Sequence, residues 1–242
     1  MQIHWLGVAL GLVAAAANLG GGLTVVRWPW QPVYLRYFIA LGAGFMLATS
    51  LLEMLPESVQ LAGNQAAMWV LFGYLLIHFF EHTLSGHFHF GEEIHAEEVA
   101  HYGRSQTILL GLMIHSFVDG VSIASGFLVS NWLGWIVFVA VFLHKMPEGF
   151  TVSSVMLASG RTPKVAFVAA ALLGVATMAG VLVMAPLRGQ VAFTLPLSAG
   201  VTLYVAASDL VPEVNREPGI RMALVLFVGV VLLLILKKVF AF

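Results

Sequence analysis

The chain has 242 residues, of which 60% are hydrophobic and 10% charged, whereas an ordinary soluble domain carries about 25% charged residues. Eleven Lys and Arg against twelve Asp and Glu give a net charge of −1, and the basic residues are scattered at the ends of apolar runs, which excludes a nucleic-acid footprint. Cysteine is absent, so disulfides, thiolate ligation and cysteine catalysis are excluded, and any metal must be held by His, Asp, Glu, Met or oxygen groups.

A helix needs about 20 apolar residues to cross a bilayer. In chain order eight runs meet that length, roughly 4–26, 33–55, 66–84, 105–128, 133–158, 164–187, 191–212 and 219–240. The first has no basic region before it and is too long for a signal-peptide core, so it is expected to remain as a span. Breaks are expected at Trp28-Pro29-Trp30-Gln31-Pro32, Pro56-Glu57, Ser130-Asn131, Gly160-Arg161-Thr162-Pro163, Arg188-Gly189 and from Pro212 to Pro218. The runs do not alternate apolar and polar residues as barrel strands do. The expected fold is an all-α integral membrane protein with eight transmembrane helices.

With the N-terminus outside, the inside loops hold Arg27, Arg36, Arg104, Arg161, Lys164, Arg216 and Arg221, and the outside segments hold Arg188, Lys237 and Lys238. The positive-inside rule therefore puts both termini outside a multi-pass cell-membrane protein. Trp5, Trp28, Trp30, Trp132 and Trp135 fall at span ends, with His4 beside the first, as expected of interfacial residues. A repeat links the second and seventh runs. The stretch from Ala43 to Glu57 aligns without a gap on Ala199 to Glu213, matching Ala-Gly, a Leu and the closing Pro-Glu, and setting Glu53 against Asp209. Those runs cross in opposite directions, which implies three spans, a central pair and three inverted spans, a 3+2+3 arrangement.

The central pair carries the chemistry. His115-Ser116-Phe117-Val118-Asp119-Gly120 and His144-Lys145-Met146-Pro147-Glu148-Gly149 each put an imidazole and a carboxylate at i and i+4, on one helix face. Ionisable groups in hydrocarbon are costly and mark ion or proton paths, so two matched pairs point to a cation site and to a transporter. His115, Asp119, His144 and Glu148 together suit zinc, and also iron or manganese. Two hydrogen-bonded pairs that only glue helices together would use the same residue types. Pro147 is expected to kink its helix and free the Leu143 carbonyl near His144, while Gly120 and Gly149 are expected to let the two helices approach.

The segment after the third run is the second cluster. His78, Glu81, His82, His87, His89, Glu92, Glu93, His95, Glu97, Glu98 and His101 fall within about two dozen residues. Short His-rich tracts bind metal with little geometric demand, so His87, His89, His95 and His101 are candidates for capture in a cytoplasmic loop over 85–104, and His78, Glu81 and His82 for an exit path. A solvated loop with incidental histidines is the alternative. Glu53 and Asp209 are read as entrance and exit acids, or as water-exposed carboxylates near helix ends.

The His-Ser-Phe-Val-Asp-Gly and His-Lys-Met-Pro-Glu-Gly motifs resemble the fourth- and fifth-helix signatures of the ZIP (ZRT/IRT-like) divalent-metal transporters. Leu55-Pro56-Glu57, Leu203-Tyr204-Val205-Ala206 and Val211-Pro212-Glu213 resemble that family as well, as do the eight spans and the His-bearing loop. The resemblance covers nearly the whole chain and implies one transmembrane transporter domain over 1–242. It further implies movement of Zn2+, and often Fe2+, Mn2+ or Cd2+, into the cytoplasm, frequent homodimers in the lipid bilayer, and elevator-like alternating access. Some members hold two adjacent metals, with an Asn after the first His and an Asn or acid after the second. Here those places are Ser116 and Lys145, and Thr177 stands where some relatives have a carboxylate, so one transport metal is expected, with the Lys145 charge compensating Asp119 and Glu148 or, in the other reading, snorkelling to an interface. Met46 matches a position that ligates in some relatives, with a core methionine as the other reading, and Ser116 is a further candidate ligand. An intramembrane metal-dependent hydrolase and a non-transporting metal sensor are the rivals from other classes. The chain has no His-Glu-x-x-His and no Gly-x-Ser-x-Gly, which disfavours the first.

Overall fold

The computed structural model describes residues 5–27, 32–85, 102–216 and 220–240. Among them the secondary structure is helical, without strands. In chain order the helices are α1 (Trp5–Arg27), α2 (Pro32–Thr49), α3 (Leu55–Ala62), α4 (Ala66–Phe80), α5 (Tyr102–Val129), α6 (Asn131–Ala158), α7 (Pro163–Leu187), α8 (Val191–Tyr204), α9 (Val211–Arg216) and α10 (Arg221–Phe240). Among the described residues six continuous helical stretches are long and apolar enough to cross a membrane, and two of these, Leu35–Thr83 and Pro163–Arg216, run to 49 and 54 residues. Each long stretch is interrupted by a single 3-10 turn, Gly63–Gln65 in one and Arg188–Gln190 in the other.

Local chemistry sets several of these boundaries. Ser130 caps α6 by accepting from the Leu133 N–H at 3.1 Å, and Thr162 caps α7, with Pro163 in the first position where no donor is needed. Gly63 takes a positive φ of 56°, which ends α3. Pro56 and Pro212 do not break the chain as the sequence suggested. π-Helical segments, Ser50–Met54 and Val205–Leu210, precede them, and the helix continues past each proline to Ala62 and Arg216. A π segment already shifts the hydrogen-bond register, so a proline one or two residues later falls in a new first turn where its missing N–H costs little.

Close packing depends on paired glycines. A β-carbon on Gly149 of α6 would meet the Asn18 carbonyl of α1, and one on Gly21 of α1 would meet Met146 of α6. Gly120 of α5 and Gly180 of α7 abut one another's helices in the same way. Gly44 of α2 with Gly229 of α10, and Gly73 of α4 with Gly200 of α8, repeat the arrangement elsewhere. Removing the side chain lets two backbones touch, which is how helices associate when lipid gives no hydrophobic drive. The main apolar core, which includes Ile39, Phe45, Met46, Ile77, Leu173, Val205 and Leu210, lies between these pairs. Large apolar side chains such as Leu71, Phe72 and Phe79 on α4 and Phe227, Val231 and Ile235 on α10 point outward.

Candidate metal centre

Ser130 alone separates α5 from α6, and contacts recede evenly from it, from Gly126 against Gly134 to His115 against His144. The two helices therefore form an antiparallel hairpin. His115 and Asp119 lie one turn apart on α5, His144 and Glu148 one turn apart on α6, and the shared helical period turns all four inward. Each is at most 2% exposed. One ligand atom from each residue lies within 4.8 Å of the others. Asp119 Oδ2 stands 3.0 Å from His115 Nε2 and 3.1 Å from His144 Nε2, and the two Nε2 atoms are 3.3 Å apart.

The protonation pattern explains what this cluster can hold. His144 Nδ1 donates to the Ala140 carbonyl at 3.0 Å, because a carbonyl can only accept. A neutral His144 then presents a lone pair from Nε2 toward Asp119 Oδ2, itself an acceptor. Two acceptors meeting in a water-poor interior repel unless a cation or proton lies between them. Ligands of a tetrahedral zinc at about 2.1 Å stand about 3.4 Å apart, close to the spacings among these atoms. The donor set, imidazole nitrogen and carboxylate oxygen, suits a borderline divalent ion.

Lys145 lies beside this set and is fully buried. Its ammonium is 2.7 Å from Asp119 Oδ2, forms an ion pair with Glu148 Oε2, and donates to Ser116 Oγ at 2.9 Å. Ser116 in turn donates to Glu148 Oε1. The lysine therefore does not reach toward a membrane surface. It provides a fixed positive charge between the two carboxylates, with Ser116 bridging it to Glu148.

Other expected residues fall in different surroundings. Gly120 and Gly149 do not bring α5 and α6 together: they abut α7 and α1, and the close α5–α6 approach is at Gly126 and Gly134 instead. The reason is geometric, since each glycine directly follows an inward-facing acid and so lies about 100° around its helix. α6 runs unbroken through Pro147, and the Leu143 carbonyl lies against Gly42 of α2. Met46 is fully buried in the main apolar core. Thr177 spends its hydroxyl on the Leu173 carbonyl of its own helix, at 3.1 Å.

Glu53 and Asp209 occupy matching places in the two π-helical segments, and both are buried rather than at wet helix ends. Glu53 Oε2 accepts from Trp132 Nε1 at 2.9 Å, and its Oε1 is 2.7 Å from Lys237 Nζ. Asp209 instead lies close to another acid, Glu81, with Tyr204 beside the two, and Asp209 Oδ2 has no partner. Tyr74 closes this region, with its hydroxyl 2.9 Å from Ser208 Oγ and its ring 5.0 Å from that of Tyr204. His78 and His82 are exposed beside it, with ring centroids 4.0 Å apart, and His82 Nδ1 donates to the His78 carbonyl. His87, His89, His95 and His101 lie outside the described residues. No sequence motif marks Tyr74 or Ser208 at the Asp209 end, whereas Tyr204 lies in the Leu203-Tyr204-Val205-Ala206 stretch that carries part of the resemblance. Trp132 and Lys237 looked only like an interfacial aromatic and a loop cation.

Compared with known proteins, residues 89–237, more than half of the chain, match a family model described as ZIP Zinc transporter. Zinc transporter ZIP10 of Homo sapiens is 32% identical over 117 residues, which is 46% of this chain and 14% of that protein. Zinc transporter ZIP6 of Homo sapiens is 33% identical over 112 residues, 44% of this chain and 15% of that protein. Zinc transporter ZIP13 homolog of Drosophila melanogaster is 27% identical over 143 residues, 54% of this chain and 40% of that protein. The matched stretch thus spans well under half the length of each of these relatives.

Proposed function

Because the chain belongs to the ZIP zinc transporter family, we propose that it carries divalent metal, zinc first, into the cytoplasm by alternating access through His115, Asp119, His144 and Glu148. The observation that carries this reading is the buried quartet of ligand atoms within 4.8 Å, where lone pairs converge that only a cation or proton can reconcile. The relatives' names, all zinc transporters, support the same cargo. Mixed imidazole and carboxylate ligation without thiolate fits a carrier, which must select an ion and then let it go.

In this proposal the chain makes eight passes arranged 3+2+3. Helices of 49 and 54 residues would extend about 75–80 Å at 1.5 Å per residue, more than twice the hydrocarbon depth of about 30 Å. Folding each into two passes at its 3-10 turn accounts for that length. The matching π segments and the Gly44–Gly229 and Gly200–Gly73 contacts, whose first members align in the repeat, support the inverted relation between halves. Lys145 compensates the charge of Asp119 and Glu148 and takes the place a second metal would need, so one ion moves per cycle. Met46 would add a soft ligand when the quartet closes on the ion. Glu81 and Asp209, with His78 and His82 outside them, would receive the ion on its way out, and the histidines of 85–104 would capture it on the cytoplasmic face. Both termini outside, Fe2+, Mn2+ and Cd2+ as further cargoes, and a homodimer belong to the same proposal.

Zinc flux into liposomes containing the purified protein tests it. His144→Ala removes one ligand nitrogen and should abolish flux while the protein remains folded in detergent. Full flux in that variant overturns the assignment. A chain that binds zinc but never moves it would instead be a sensor.

A further inference from the structure

The helices sort into two groups by how their backbones meet. α1, α5, α6 and α7 interlock through Gly21 with Gly149, Gly120 with Gly180, and Gly126 with Gly134. The other four pair as α2 with α10 through Gly44 and Gly229 and as α4 with α8 through Gly73 and Gly200, and the two pairs are joined where Ser50, after α2, donates to the Ala199 carbonyl of α8. Where α2 meets α6 across the groups the approach is looser: a β-carbon on Gly42 would lie 3.6 Å from Leu143, an ordinary van der Waals separation. Toward one end the groups part further. A cavity of about 470 Å³, lined by Trp132, Trp135, Ile136, Val139, Leu236 and Phe240, opens between α6 and α10.

At that end one carboxylate bridges both groups. Glu53 belongs to the π segment after α2, Trp132 to the first turn of α6, and Lys237 to the last turn of α10. The Trp132 indole donates to Glu53 Oε2 at 2.9 Å, and Lys237 holds Oε1 at 2.7 Å from the same side as α10. Glu53 is 8% exposed, so water competes little for its oxygens. The lysine and the glutamate share a group and would move together, whereas the indole belongs to the other group. Any sliding of one group past the other at this end must break the indole–carboxylate bond. Ser125 of α5 and Thr194 of α8 also join across the groups, at 3.0 Å, but through two neutral hydroxyls. Charge-assisted hydrogen bonds are about twice as strong as neutral ones.

We propose that Trp132 and Glu53, with Lys237 fixing the carboxylate, form a latch that holds the two helix groups closed at this end of the molecule. The latch rests on the transport reading for its purpose but not for its detection. While it is made, the ion site, whose four residues are at most 2% exposed, is sealed from the Glu53 end. Breaking it favours the conformer open at that end.

The absence of cysteine makes the test direct. Ser198 is fully buried on α8, its hydroxyl has no partner, and it adjoins Ala199, whose carbonyl accepts from Ser50, one turn before Glu53. A single Ser198→Cys protein in liposomes is exposed to a membrane-impermeant maleimide from each side, without metal. Trp132→Phe keeps an aromatic ring at the site and removes the donor, and should raise labelling from the Glu53 end about tenfold, the effect of losing one hydrogen bond to a charged group. Glu53→Leu should raise it similarly, and the double variant no further. Trp135→Phe, in the same cavity wall, should leave it unchanged. Labelling at the parent rate in Trp132→Phe, an additive double variant, or an equal rise in Trp135→Phe would each overturn the latch. If Ser198→Cys does not fold, Thr49→Cys on α2, also buried with an unpartnered hydroxyl, serves as the reporter. Zinc flux absent from the parent, with the labelling response intact, would sink the transport reading and leave the latch standing.

Discussion

Replacing Lys145 with alanine separates the two roles of its charge. The ammonium stands 2.7 Å from Asp119 Oδ2 and directly against Glu148 Oε2, with all three residues at most 1% exposed. At 2.7 Å and an effective dielectric constant of about 20, one such pair is worth about 6 kcal/mol of Coulomb attraction. Desolvation offsets much of that, so removing one partner of a buried pair costs about 3–5 kcal/mol, mostly because the remaining carboxylates are left uncompensated. A dication in the quartet replaces the missing charge. Binding only to the folded state at a hundredfold over its Kd restores about 2.7 kcal/mol. Lys145→Ala should therefore lower the thermal midpoint sharply in chelator and recover much of it in zinc, followed in detergent by the fluorescence of the six tryptophans. The parent should respond less to zinc, because its lysine already supplies a cation. Uptake by the variant should also change in metal preference. An equal loss with and without zinc, or no loss, would refute the argument that Lys145 substitutes for a second metal.

Two further variants address packing and path. Gly149→Ala puts a methyl group into the Asn18 carbonyl of α1 and should cost about 1–3 kcal/mol, whereas Gly20→Ala on the same helix pair meets open space and should be neutral or better; equal thermal midpoints for the two would show that α1 and α6 do not touch there. Asp209→Asn leaves the His/acid quartet intact, so zinc binding by calorimetry should be unchanged while flux in liposomes falls several-fold, and undiminished flux would remove Asp209 from the path.

The quartet was legible because its geometry is local. His115 with Asp119 and His144 with Glu148 are i,i+4 pairs on helices that the apolar runs already imply, and a one-residue connection leaves little freedom in how those helices face. Helix edges read less well. Pro56 and Pro212 look like breaks, yet each is absorbed by a π segment whose only sequence sign is the proline itself. The glycine partners were hidden for a different reason. Gly149 touches a helix that lies more than a hundred residues earlier in the chain, so its partner depends on the assembled bundle. The same holds for Lys237 on Glu53, where distant segments meet and neither residue has a neighbour in sequence that announces the other.

That last pairing shows how a repeat can be conserved in backbone and broken in chemistry. Glu53 and Asp209 share an alignment position, a π-helical segment and burial. One is neutralised by an ammonium and pinned by an indole, and the other faces a second carboxyl and retains an oxygen with no partner. Two facing carboxyls repel when both are ionised, and a dication relieves that repulsion far better than a monovalent ion does. On the proposed transport reading the Asp209 end is therefore where a departing ion would dwell, and the Glu53 end is where the protein would stay shut. Such an asymmetry sets the residence of the ion and the order of opening. It cannot set the net direction of flow, because static sites only redistribute an ion along a path whose two ends are at the concentrations outside and inside. On the proposed reading the latch would govern how often the Glu53 end is offered.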